Sequence, residues 1–451
     1  MRCSIIIAGT ALVNLLMLFS RSEGAECPSQ LKSALKPITE DSPLTWAVEG
    51  TLRVGETTCD DFTKNFNNEM FFLGIGYQFN PEMRIYFEGG AKYWNKTGTD
   101  KRPQRENCPE IPGDWSQKNH WGFRDFLFEY SPDLNEVRAG LSEMTAGDLF
   151  LVDERVLGGF GAIDLAQFTV QGGIGTVDRD FSRMGKFCGT RHNYRPLNEY
   201  YDDDISNDLW KTNLAFATIA WFPGRETGTD DEFSDFVPED SEDEFETFEA
   251  SPPPFAIDEV GLTFLEDFGI GFTDNASFVA AFIKTDLPLQ FRLGLEGVVQ
   301  FEMGETATGY LIDLENSFSL GAAGVSTING GYLGAPNNSD ELKFSPAFSN
   351  LFLGEALKLD SIQAPLFYGS LYHTIPFRWP VTAGVFYTAQ TEDHKAREWD
   401  FEIGIQPRED LNIGNVPLLD HLTIRTIFSL VDADDLDDQL KTWKVEFRWA
   451  I

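Results

Sequence analysis

Stretches of roughly ten residues in which apolar and polar side chains alternate recur along this chain. Nothing else in the sequence constrains the fold as strongly. A two-residue period means strands with one apolar and one polar face. Residues 45–54, "TWAVEGTLRV", place Trp46, Val48, Leu52 and Val54 opposite Glu49 and Arg53. Residues 69–79 align Phe71, Leu73, Ile75, Tyr77 and Phe79. Residues 83–94 set Ile85, Phe87 and Tyr93 against Arg84, Glu88 and Lys92. The pattern returns at 289–302, where Leu289, Phe291, Leu293, Leu295, Val299 and Phe301 oppose Gln290, Arg292, Glu296, Gln300 and Glu302. It returns again at 397–406 and 421–430, and it closes the chain as "KTWKVEFRWAI". There Trp443, Val445, Phe447, Trp449 and Ile451 alternate with Lys444, Glu446 and Arg448, and no residue follows to cover the apolar face. A soluble sandwich would carry aliphatic inner faces and meet water with its polar ones. Here the apolar faces are aromatic, and the polar faces mix small residues with both signs of charge. That combination predicts a transmembrane antiparallel β-barrel, with lipid outside and water with paired charges inside.

The start of the chain supports export. Residues 1–25 carry a short positive start and an apolar run from Ile5 to Phe19, which reads as a signal peptide. Beyond it no run of 18 apolar residues occurs, so strands and not helices must cross the membrane. Residues 26–44 read as a periplasmic N-terminal segment and 45–451 as the barrel. Four cysteines outlast the leader, Cys27, Cys59, Cys108 and Cys188. They are disulfide candidates with three possible pairings. Connections alternate in length: 80–82, 131–135, 286–288 and 322–324 are short, while 56–68, 95–118, 145–161, 178–207 and 334–362 are long. Short periplasmic turns and long extracellular loops are the barrel rule. The count is about 18 strands, with 16 as the alternative. An even number puts both termini in the periplasm, Cys59, Cys108 and Cys188 in outer loops and Cys27 on the periplasmic side.

The 39 Phe residues and the 14% aromatic content do not suit a disordered chain. The balance of 72 Asp+Glu against 35 Lys+Arg excludes binding to nucleic-acid phosphates. Part of the acidity is concentrated in 224–255, which holds twelve acidic residues between Glu226 and Glu249 and no Lys or Arg after Arg225. It reads as an acidic insertion. Strand parity puts it at a periplasmic turn, whereas its size suits an outer loop. Ca²⁺ at these carboxylates is the one cofactor candidate. The chain lacks GxSxG, HExxH and nucleotide-loop motifs. Its five histidines (His120, His192, His373, His394 and His421) form no catalytic grouping, so the expectation is a protein that is not an enzyme.

Two regions carry a resemblance. Residues 137–168, "VRAGLSEMTAGDLFLVDERVLGGFGAIDLAQF", resemble a strand–loop–strand unit of the alginate export porins of the Gram-negative outer membrane. Arg138 and Gly140 match that family's strand pattern, while Ser142 and Glu143 stand where a second Arg and a Gln are expected. Residues 308–357 are similar to its hairpin and Phe-rich outer loop. The resemblance implies an 18-stranded monomeric porin that passes an anionic polysaccharide through a channel lined by Arg and Lys. The alternation itself offers Arg53, Arg84, Lys92, Arg138, Arg292, Arg425, Lys444 and Arg448 as pore-lining cations. It interleaves them with Glu49, Glu88, Glu136, Glu296, Glu302, Asp313, Glu315, Asp400, Glu402 and Glu446. These charges either set the field in the pore or brace its wall, and the mixture predicts weak ion selectivity. The partners expected are the bilayer, lipopolysaccharide, a hydrophilic solute or polysaccharide, and the barrel-assembly machinery, which reads the last strand. The alternative to a porin is a sleeve or docking barrel that holds a partner.

Overall fold

The computed structural model describes residues 34–39, 42–59, 62–98, 120–132, 135–146, 151–178, 211–224, 256–268, 275–335, 365–377, 379–390, 396–406, 422–433 and 439–450. After a two-residue strand β1 (Lys36–Pro37) the chain forms β2 (Leu44–Cys59), β3 (Phe62–Asn80), β4 (Met83–Gly98), β5 (His120–Tyr130), β6 (Glu136–Ala146) and β7 (Val152–Leu165). It continues with β8 (Phe168–Asp178), β9 (Lys211–Trp221), β10 (Ala256–Asp267), β11 (Ala276–Leu287), β12 (Phe291–Glu302) and β13 (Glu305–Ser319). The last strands are β14 (Val325–Gly334), β15 (Leu366–Ile375), β16 (Val381–Gln390), β17 (Ala396–Ile405), β18 (Thr423–Ala433) and β19 (Leu440–Ala450). Each long strand pairs antiparallel with its neighbours in sequence, and β19 returns to pair with β2 from Lys441↔Thr58 to Ala450↔Glu49. The result is a closed 18-stranded barrel with one extra strand. Closure leaves no edge of unpaired backbone groups, the condition for strands to cross hydrocarbon. Past the end of β19, β1 continues that side of β2 by pairing Lys36 with Trp46 and Pro37 with Thr45.

The faces fall as the alternation requires. Along β19, Leu440, Thr442, Lys444, Glu446, Arg448 and Ala450 are buried, while Trp443 stands outside at 42% exposure. Phe71, Leu73, Ile75, Tyr77 and Phe79 form an outer stripe on β3, and Trp399, Phe401 and Ile403 form one on β17. Outer rings pack across strands: Tyr332 lies 4.6 Å from Phe367 and Tyr387 lies 4.3 Å from Trp399, centroid to centroid. The last strand's aromatic face also seals the seam. A Cβ on Gly50 would fall on the Trp449 indole, so this ring lies flat across β2. Gly50→Val is therefore expected to displace Trp449 and to cost about 1–3 kcal/mol by overpacking. A lowered urea midpoint in vesicles would show it, and an unchanged midpoint would mean that the ring does not hold the seam.

Two stretches expected as long loops are strands. The β2–β3 ladder runs unbroken to Cys59↔Phe62, so 56–68 holds only a two-residue connection, and Cys59 closes β2 instead of sitting in a loop. Outward positions there turn to Glu69, Asn67, Asn65 and Thr63, so the hairpin keeps its pairing after it leaves the apolar belt. Most of 145–161 belongs to β7, where Gly158, Gly159 and Gly161 dilute the alternation. Leu289 and Gln290 lie outside β12, in a turn with φ of 65° and 64°. The connection spanning 222–255 leaves β9 at Trp221 and returns at Ala256, at the end that bears β1 and Ala450. Parity thus prevails over size for the acidic insertion. Residues 225–255 themselves lie outside the described residues, as do Cys27, Cys108, Cys188, His192, His394, His421, the leader and 336–364.

Candidate functional site

The inner wall is built by register. Opposed residues of paired strands share a face, so one inward residue fixes the rest of its row. Arg53 on β2 donates to Glu446 on β19 through Nη2 at 2.7 Å and Nε at 3.1 Å. Arg425 on β18 holds Glu402 on β17 with two bonds of 2.7 and 2.8 Å, and its Nη1 lies 3.9 Å from Glu446. Arg448 on β19 donates to Glu49 on β2 at 2.9 Å. Glu49 also accepts from Arg124 of β5 at 2.9 Å, and Arg124 pairs with Glu88 of β4. The Tyr86 hydroxyl donates to Glu88 at 2.6 Å, and the Arg124 guanidinium sits 4.0 Å from the centroid of the Phe72 ring. Charge-assisted bonds of this kind join six of the seven neighbouring strands from β17 around the seam to β5, and the seventh, β3, supplies the Phe72 ring beneath Arg124.

Arg124 was not among the residues singled out in the sequence. A bulge puts it there: Glu88 opposes Asp125 and Gly89 opposes Phe123, leaving Arg124 as the extra residue. Arg124 and Asp125 are both buried and inward, and the outward face passes from Trp121 and Phe123 to Phe126 and Tyr130. That one-residue slip in aromatic phase is legible in "WGFRDFLFEY" and is the signal that would have found it.

Of the sequence candidates, Arg53, Glu88, Glu402, Arg425 and Arg448 join this lattice. Arg84, Arg138 and Arg292 face inward near the terminus-bearing end. There Arg84 meets Glu129 at 2.8 Å, Arg138 meets Glu136 and lies 4.9 Å from the Phe160 ring, and Arg292 stands 3.7 Å from Asp286. Glu296 is buried on the opposite wall, on β12. Lys92 belongs to an inward row by register, but its side chain lies outside the described residues.

A different wall adjoins the lattice at β17. Across β13–β17 one inward row reads Asp313, Gly331, Tyr368, Thr388, Glu398. The next reads Glu315, Asn329, Ser370, Phe386, Asp400, and the next Ser317, Thr327, Tyr372, Gly384, Glu402. Asp313 accepts from the Tyr368 hydroxyl at 2.6 Å and from Asn329 at 3.1 Å. Toward the end away from the termini, the inner face becomes apolar. Leu214, Phe216, Leu265, Phe278, Val298 and Leu333 belong to one buried cluster there, a layer the alternation did not foretell.

No protein-family model matches the chain, and no curated protein matches it. Its fold is nevertheless that of outer-membrane porins. OccK2 (OpdF) of Pseudomonas aeruginosa, solved in complex with glucuronate, aligns at a TM-score of 0.54 and 9% identity, over 93% of this chain and 98% of that one. P. aeruginosa OpdQ aligns at 0.53 and 9% identity, over 92% and 99%, and P. aeruginosa OccK7 (OpdD) at 0.53 and 10%, over 92% and 99%. Identities this low establish a shared architecture, that of a multi-pass outer-membrane β-barrel.

Proposed function

We propose that the chain is an outer-membrane channel for the passive diffusion of hydrophilic solutes. The observation that carries this reading is the closed barrel with an aromatic outer belt and charged rows on its inner face. Charged side chains facing the lumen give a polar solute a path that hydrocarbon denies it. The likeness to OccK2 in complex with glucuronate supports a small solute over a polymer. Export of an anionic polysaccharide, implied by the resemblance to alginate export porins, calls for inward cations available to the polymer. Each inward arginine among the described residues instead stands within ion-pair distance of a carboxylate. Assembly through the apolar last strand and an outer leaflet of lipopolysaccharide complete the proposal.

Single-channel recording of the refolded chain in planar bilayers tests it. Steady conductance is expected. Silence despite complete insertion would overturn the channel in favour of a docking barrel.

A further inference from the structure

The side of β2 that β19 closes is taken as far as Glu49, which stands opposite Ala450. Only the terminus-bearing end of β2 is left on that side. There β1 pairs Lys36 with Trp46 and Pro37 with Thr45. A tight turn leads from β1 into β2. The Ser42 N–H donates to the Thr39 carbonyl at 2.8 Å, and the Ile38 N–H donates to the Leu44 carbonyl at 3.1 Å. Followed back from Lys36, the chain runs toward the end of β19. The ladder has no room for it beyond that point, so it leaves the sheet at Leu35 and Ala34.

It leaves inward. Gly76 lies on the inner face of β3, since its partner Tyr86 is buried and its neighbours Ile75 and Tyr77 are exposed on the outer face. A Cβ on Gly76 would stand 3.4 Å from Cδ1 of Leu35. Ala34 and Leu35 belong to one apolar cluster with Ala47, Met70, Phe72 and Ala450, all inward residues of β2, β3 and β19. Ala47 and Ala450 are 0% exposed although they face the lumen. Inward side chains near the same end but outside this cluster stay open, Arg84 at 44% and Arg292 at 62%. The cluster adjoins the charged lattice, because Phe72 is the ring beneath Arg124.

We infer that the segment preceding β2 is a constriction in the periplasmic mouth of the channel. It is a strap that lays Ala34 and Leu35 across the inner face of β2 and β3 and narrows a solute's path there. The inference rests on the channel reading. Two ladder pairs tie β1 to the sheet, so apolar burial of Ala34 and Leu35 is what keeps the strap inside. The 18 long strands close without β1, through the pairing of β19 with β2, so the strap is separable from the barrel.

Single-channel conductance in planar bilayers tests it. Three chains are compared: one refolded from Glu26, one refolded from Thr39 and so lacking the strap, and the longer chain carrying Ala34→Asp with Leu35→Asp. Charged side chains at 34 and 35 are not accommodated in an apolar cluster, so the double substitution should release the strap. Removal of the strap is expected to raise conductance several-fold, and the double substitution to raise it in the same direction. Ile38→Ser is the matched control, since Ile38 is exposed and lies outside the cluster; its conductance should equal wild type. If the shortened chain inserts poorly, the double substitution carries the test alone, because it leaves residues 36–44 in place. Wild-type conductance from inserted chains without the strap, or with it released, would overturn this inference and leave the channel standing. Silence from every inserted chain would instead overturn the channel reading on which it rests.

Discussion

A chain carrying Phe401→Arg is expected to fail to insert stably into bilayers. Phe401 sits on the outer face of β17 between Val385 of β16 and Phe428 of β18, and its ring stacks near Trp399 at 6.4 Å. It is 45% exposed because lipid is its solvent. An arginine on the lipid face of a barrel strand costs about 2–4 kcal/mol near the bilayer midplane and less toward either interface. The matched control is Ser317→Arg, on the inward face of β13, where Ser317 is exposed to the lumen and pairs with Thr327 at 3.0 Å. That variant should insert at wild-type yield. The folded fraction after dilution from urea into vesicles separates the two faces. Equal yields would mean that the belt around β17 does not contact hydrocarbon.

The contrast between Phe401 and Ser317 is of the kind a sequence reveals well. Alternation is a local property, and each strand displays both of its faces within ten residues. The outer stripes of β3, β17 and β19 were readable for that reason, and so was the inward placing of Arg53, Glu402 and Arg448. What could not be read is who meets whom. Arg53 and Glu446 lie 393 residues apart in the chain and Arg448 and Glu49 lie 399 apart, and only barrel closure brings them together. Alternation also fails where the outer face leaves lipid. The far part of the β2–β3 hairpin carries Glu69, Asn67, Asn65 and Thr63 outward and so resembles a loop, although its backbone ladder is complete. The apolar layer inside was hidden for the converse reason. A strand such as β9 alternates Leu214, Phe216, Thr218 and Ala220 with Ala215, Ala217, Ile219 and Trp221, and neither face declares itself polar. The acidic rows across β13–β17 needed register, since their carboxylates come from β13 and β17, whose sequences are separated by the whole of β14 to β16.

The second large effect is expected at the bulge of β5. Arg124 is among the most completely buried large side chains of the described residues, at 1% exposure, and it pairs with carboxylates on two strands at once. Arg124→Met keeps much of the volume over Phe72 but removes the charge. Glu49 still has Arg448, at 2.9 Å, whereas Glu88 keeps the Tyr86 hydroxyl and loses its guanidinium. Removing one member of a buried ion pair typically costs about 3–5 kcal/mol, because the remaining charge loses its counter-charge. The lower end applies to a barrel whose interior water can reach. Adding Glu88→Gln to Arg124→Met removes the charge that lost its guanidinium and should return most of the loss, while adding Glu49→Gln should return little, since it also removes the carboxylate to which Arg448 donates at 2.9 Å. Urea midpoints of the four chains complete the comparison. Rescue by Glu88→Gln and not by Glu49→Gln would show that the lattice braces the wall through specific pairs. A wild-type midpoint for Arg124→Met would show instead that its carboxylates are already hydrated.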